Sequence, residues 1–97
     1  MLFRSNKSKS SVLELFQNRP NPFQNETTIA FNLPKTGTAK ITISDVAGKV
    51  LQVIENDFVK GYNELKINKN ALQTSGVMYI QLEQNGMKVT KKMISIE

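Results

Sequence analysis

The chain has 97 residues, 39% of them hydrophobic, and no cysteine: enough for one compact domain, with no disulfide to restrain its unfolded state. Histidine is absent too, which removes the commonest general base and, with the missing thiols, the usual zinc and copper ligands. The net charge of +5 is unevenly placed, with Arg4, Lys7 and Lys9 putting +3 on residues 1–12 and ten basic against eight acidic side chains on residues 13–97. That near balance argues against a nucleic-acid or anionic-membrane partner, which needs basic side chains gathered on one face.

Residues 1–12 are too polar to repay their ordering entropy and are expected to form a flexible linker or a vector-derived leader. They lack the apolar run of a signal peptide, and no apolar stretch of the chain reaches bilayer-spanning length, so no membrane insertion is expected. The domain proper is expected over residues 13–97. Leu13, Leu15 and Phe16 begin it as a first strand. Pro20, Asn21, Pro22 and Phe23 form a rigid entry that stops pairing at an edge and sets Phe23 on the rim of the core.

Ile29, Phe31 and Leu33 alternate with polar or small neighbours, as do Ile41 and Ile43, so each run presents one apolar strand face. Asp45, Val46, Ala47 and Gly48 close a hairpin, the aspartate accepting a local backbone hydrogen bond and the glycine supplying positive φ. The returning strand, Lys49 to Ile54, is expected to bury Leu51 and Val53, with Asp57 in the loop that follows. Gly61 opens the next run, in which Leu65 and Ile67 share a face. Asn68 to Ser75 reads as a crossover with one helical turn, Leu72 plugging an end of the core, and Gly76 permits a tight turn into Val77.

Asn85-Gly86 is the strongest two-residue turn signal and fixes the register of the last hairpin. Gln84 then faces Met87, Leu82 faces Val89, Ile80 faces Lys91 and Met78 faces Met93. The other face pairs Glu83 with Lys88, Gln81 with Thr90, Tyr79 with Lys92 and Val77 with Ile94. Lys91 interrupts the apolar face. Either it snorkels out at the sheet edge, or a bulge near Thr90 to Lys92 turns Ile94 and Ile96 inward.

About seven short strands with frequent turns fit an all-β antiparallel sandwich or an OB-like barrel, and pattern alone leaves both open. The carboxylates are scattered: Asp45 is a turn acceptor, and the six glutamates show no spacing that builds a catalytic pair. The five glycines are isolated turn residues and form no phosphate-binding loop. No enzyme activity and no cofactor are expected.

Five short motifs follow one another in order along the chain. They are Pro20-Asn21-Pro22-Phe23 before the alternating Thr27 to Pro34, Ile43 to Val50, Ala71 to Val77, and a terminal Lys91-Lys92-Met93-Ile94-Ser95-Ile96-Glu97. This order resembles the type A C-terminal sorting domain of the type IX secretion system of Bacteroidetes. The resemblance implies an immunoglobulin-like β-sandwich that serves as a detachable export signal. It implies outer-membrane shuttle and translocon proteins as partners, an N-terminal passenger, and a sortase-like signal peptidase cutting the upstream linker. Transit through the periplasm would end at the cell surface or in the medium.

On the same resemblance, recognition by the machinery falls on Gly76, Val77 and Tyr79 and on Lys91, Lys92, Met93, Ile94, Ser95, Ile96 and Glu97. Pro20, Asn21, Pro22, Phe23, Asp45 and Gly48 are read as structural. Two positions depart from the family pattern: Met78 stands where tyrosine is usual, and Ser44 where an aromatic often precedes the turn aspartate. Two other classes compete. A fibronectin-like or carbohydrate-binding module would display a planar aromatic row, for which only Tyr62, Tyr79 and Phe58 are available. An OB-like nucleic-acid binder would interleave lysines with stacking aromatics, a pattern met only at Tyr79 opposite Lys92.

Overall fold

A computed structural model describes residues 12–97. The linker expected over 1–12 therefore lies outside the described residues except for Val12. Seven strands form in chain order: β1 (Glu14–Leu15), β2 (Glu26–Leu33), β3 (Gly37–Asp45), β4 (Val50–Phe58), β5 (Gly61–Asn68), β6 (Gly76–Gln84) and β7 (Met87–Ser95). One short helix, α1 (Lys69–Leu72), links β5 to β6. The strands make two antiparallel sheets, β1-β2-β5 and β4-β3-β6-β7, which decides for a sandwich over a closed barrel.

The inner faces follow the alternation in the sequence. Ile29, Phe31 and Leu33 from β2 meet Ile41 and Ile43 from β3 and Ile80 and Leu82 from β6, all completely buried. Phe31 packs edge-on against Phe58 at 5.2 Å between ring centroids and 88° between planes. Leu72 on α1 is buried and plugs one end, as its isolation in a polar segment predicts. Asn68 caps that helix, its Oδ1 accepting from the Asn70 amide at 2.8 Å.

Both hairpin turns form as read. Asp45 Oδ1 accepts from the amides of Ala47 and Lys49, each at 2.9 Å, and Gly48 takes φ of 91°. Asn85 and Gly86 both have positive φ, and the β6–β7 register matches the expected pairing from Gln84–Met87 to Val77–Ile94. That register runs without interruption, so there is no bulge at Thr90 to Lys92. Lys91 instead lies exposed on the inner-facing side of an edge strand, its long stem carrying the ammonium out to water.

Three expectations need correction. Val53 is 49% exposed and lies outside the core. The β3–β4 register shifts between Ile43, opposite Gln52, and Ser44, opposite Val50, so Leu51 is an extra residue in β4. This bulge changes the phase of the strand: Leu51 and Ile54 pack against the core while Val53 faces solvent opposite Thr42. Asp57 belongs to β4 rather than to a loop, and its Oδ1 accepts from the Thr38 hydroxyl at 2.8 Å. Phe23 is 1% exposed, in the core rather than on its rim.

Candidate recognition surface

The sequence segments that carry the resemblance are far apart in the chain and adjacent in space. Antiparallel pairing lays Val77 beside Ile94 and Tyr79 beside Lys92 on the outer face of the four-stranded sheet. Tyr79 is 39% exposed and Lys92 is exposed, whereas Val77 and Ile94 are half-buried. Across β3 and β4 this surface continues through Ser44 to Val50 and through Thr42 to Val53. Val50 and Val53 thus extend this outer surface beyond the hairpin residues that the resemblance singles out. Their exposure follows from the bulge at Leu51, which has no local sequence signal.

The other end of the same face has opposite chemistry. Lys88, Glu83, Lys40 and Glu55 stand side by side across all four strands, alternating in sign. This row cancels its own charge and is no basic stripe. The sheet therefore offers an apolar, lysine-edged end near the C-terminus and a neutralised polar end near the Asn85-Gly86 turn.

The remaining residues singled out in the tail are divided between faces. Met93 and Ser95 point inward and are buried, Ile96 and Glu97 are exposed beyond the last pair, and Gly76 opens β6 with φ of 105°. Lys91 is exposed on the side opposite Lys92. A partner approaching the outer face meets Val77, Tyr79, Lys92 and Ile94, whereas Met93 and Ser95 fix the strand from beneath.

Pro20, Asn21, Pro22 and Phe23 lie directly against this tail. Phe23 makes a parallel bridge to Ser95, donating its amide to the Ile94 carbonyl at 3.0 Å and accepting from the Ile96 amide at 2.8 Å. Asn21 Oδ1 accepts from the Ile94 amide at 2.9 Å. Gln17 Nε2 donates to the Lys92 carbonyl at 2.7 Å. Lys69, the first residue of α1, donates from Nζ to the Ile96 carbonyl at 2.9 Å.

A buried polar cluster shapes this segment. Asn18 and Thr27 are each 1% exposed. Asn18 Nδ2 donates to Thr27 Oγ1 at 2.9 Å and to the Pro20 carbonyl at 3.1 Å, and Thr27 Oγ1 donates to the same carbonyl at 2.9 Å. Sequence reading missed both residues. A polar residue next to a proline-rich turn looks like solvated loop unless its tertiary partner is known.

The aromatics do not form one platform. Tyr79 is on the outer face of the four-stranded sheet, Phe58 packs inside, and Tyr62 sits on the outside of the other sheet beside Phe16, their rings 6.3 Å apart and tilted by 41°. These two rings border an open, largely apolar cleft of about 420 Å³ together with Gln17, Arg19 and Ala30. The Tyr62 hydroxyl donates to Glu64 at 2.8 Å, and that bond holds its pKa above the usual phenol value. Among the described residues no group of histidine, cysteine, aspartate and glutamate is placed to hold a metal ion, and no helix is long and apolar enough to cross a membrane.

Comparison with known proteins gives one family. The model of the secretion system C-terminal sorting domain matches residues 19–97, from the proline-rich segment to the last residue. Neither the curated proteins nor the solved structures returned a match. The match covers most of the chain and includes both segments that meet at the tail, and the family is one of sorting signals rather than enzymes. The chain belongs to the C-terminal sorting domains of type IX secretion.

Proposed function

We propose that this domain carries an N-terminal passenger across the outer membrane and is then cut away in the linker that precedes Leu13. As a type IX sorting signal it acts with the secretion machinery toward export to the cell surface or the medium. Periplasmic transit, recognition by outer-membrane shuttle and translocon proteins, and release by a sortase-like peptidase are the finer steps of this reading. The domain folds around its own core, with no disulfide to form, so it depends on nothing its passenger supplies.

One observation carries the assignment of the contact surface. The cross-strand pairs Val77–Ile94 and Tyr79–Lys92 merge the two segments implicated by the family resemblance into one outward surface. Apolar residues edged by a lysine suit a partner with an apolar contact rimmed by carboxylates. The alternating charges at the far end of the sheet and the dispersal of the aromatics over separate surfaces favour neither of the competing readings, the nucleic-acid binder and the carbohydrate module.

The test fuses residues 13–97 behind a periplasmically targeted reporter in a bacterium possessing the type IX machinery. The reporter should reach the surface, and removal of Lys92 to Glu97 should abolish this. Because that deletion strips the partner of Val77 and Tyr79, the folded variant Lys91→Gln/Lys92→Gln is the cleaner probe, and its export should fall. Parent-level export of the glutamine variant would reduce the lysines to edge protection.

A further inference from the structure

In a hairpin with a two-residue turn, alternate residues direct their backbone N–H and C=O away from the partner strand. In β7 those residues are Lys88, Thr90, Lys92 and Ile94, and β7 is an edge of its sheet, so this row would be free for strand addition. Over its terminal half it is already taken. The Lys92 carbonyl, both backbone groups of Ile94 and the Ile96 amide are bonded to Gln17, Asn21 and Phe23. The segment stops short of Lys88 and Thr90.

We propose that residues 17–24 act as a strap that closes the terminal strand against strand addition, so that the secretion machinery meets the tail as a fixed side-chain surface. This proposal rests on the sorting-signal reading. Asn21 is its positioning residue. Its carboxamide oxygen substitutes for the strand carbonyl that would otherwise pair with the Ile94 amide, and Phe23, anchored in the core, continues the pairing in parallel.

The strap is built in from both sides. Around the buried Asn18–Thr27 contact, the backbone pairs with the three-stranded sheet through Phe16 to Ala30 and Arg19 to Thr28. The Gln17 side chain, and then Asn21 and the Phe23 backbone, bond to β7 of the other sheet. The segment therefore ties the two sheets together at the edge where the signal lies, and Val77, Tyr79, Lys92 and Ile94 are held in one plane.

The two modes of recognition make opposite predictions for an opened strap. If the partner adds a strand to β7, freeing the Ile94 amide should raise export; if it reads the side-chain surface, export should fall. The experiment compares the parent with Asn21→Ala, which removes the acceptor, and Asn21→Asp, which keeps one. Amide exchange on the 97-residue chain should show Ile94 exchanging about tenfold faster in Asn21→Ala, with the Ile80 and Leu82 amides unchanged and protection restored in Asn21→Asp.

Passenger export should fall and recover in the same order. Asn21→Ala export at or above the parent level, with the Ile94 amide exposed, would overturn the proposal. An Ile94 amide that already exchanges freely in the parent would overturn it as well. Failure of the parent fusion to be exported would sink the sorting-signal reading instead, while the amide data would still decide whether the strap exists.

Discussion

The two long sides of this sandwich are finished differently. On one side, the terminal half of β7 is closed by the segment from Gln17 to Gln24, and the residues meeting there, Phe23, Met93 and Ser95, are buried. On the other, β4 and β5 are each paired along one edge only, the core residues Leu51, Ile54, Phe58 and Leu65 remain half-buried, and Val50, Val53 and Val59 are exposed. Closing an edge takes a segment with donors and acceptors at matched spacing, and the chain places that segment at its C-terminal strand, the one proposed above to be read by the secretion machinery. The unfinished side shows that the domain does not need both edges closed to hold its core.

The contrast is sharpest in stability. Phe23→Ala should destabilise the domain by about 3–5 kcal/mol, because it empties a completely enclosed site and releases the strap together. Phe31→Ala should cost as much, by the same cavity argument at the centre of the sandwich. A chemical-denaturation midpoint close to the parent for Phe23→Ala would mean that the strap is an accessory and not part of the core.

Phe58→Ala, on the open side, should cost less. Its ring is half-buried, and the loss is partial burial plus an edge-on aromatic contact of about 0.5–1.5 kcal/mol. A loss equal to that of Phe23→Ala would erase the difference between the two sides.

Smaller effects sharpen the comparison further. Val53→Thr should leave stability within about 0.5 kcal/mol of the parent, since the residue faces water opposite Thr42. Ser95→Ala should be neutral or slightly stabilising, because Ser95 Oγ is buried with no hydrogen-bond partner among the described residues. Thermal or denaturant unfolding of both variants checks the register of β4 and β7 at once.

What the sequence made legible was local. Alternation placed Ile29, Phe31, Leu33, Ile41, Ile43, Ile80 and Leu82 in the core, and Asn85-Gly86 alone set eight of the nine cross-strand pairs of the last hairpin. Each follows from a period or a turn spelled out by neighbouring residues. What stayed hidden depends on distant partners. The bulge at Leu51 is a misfit between two strands, and it moved Val53 out of the core and onto the surface shared with Tyr79.

The strap was hidden for the same reason. Its proline-rich motif shows a rigid turn, but not that 73 residues later the Ile94 amide waits for the Asn21 carboxamide. Family resemblance marked both segments without relating them, and pairing supplied the relation. Phe23 was placed too near the surface because its proline-rich neighbours are themselves exposed, whereas the bridge to Ser95 carries it beneath β7.

The central claim is that the strapped hairpin presents Val77, Tyr79, Lys92 and Ile94 as the surface that directs export. The most direct measurement is surface delivery of a reporter fused ahead of residues 13–97 carrying Val77→Thr, Tyr79→Thr and Ile94→Thr. These replacements keep β-forming residues on an outward face and should leave a folded domain, verified by its denaturation midpoint. Delivery should then fall to the level of the reporter without the domain. Delivery equal to the parent by a folded triple variant would contradict the account.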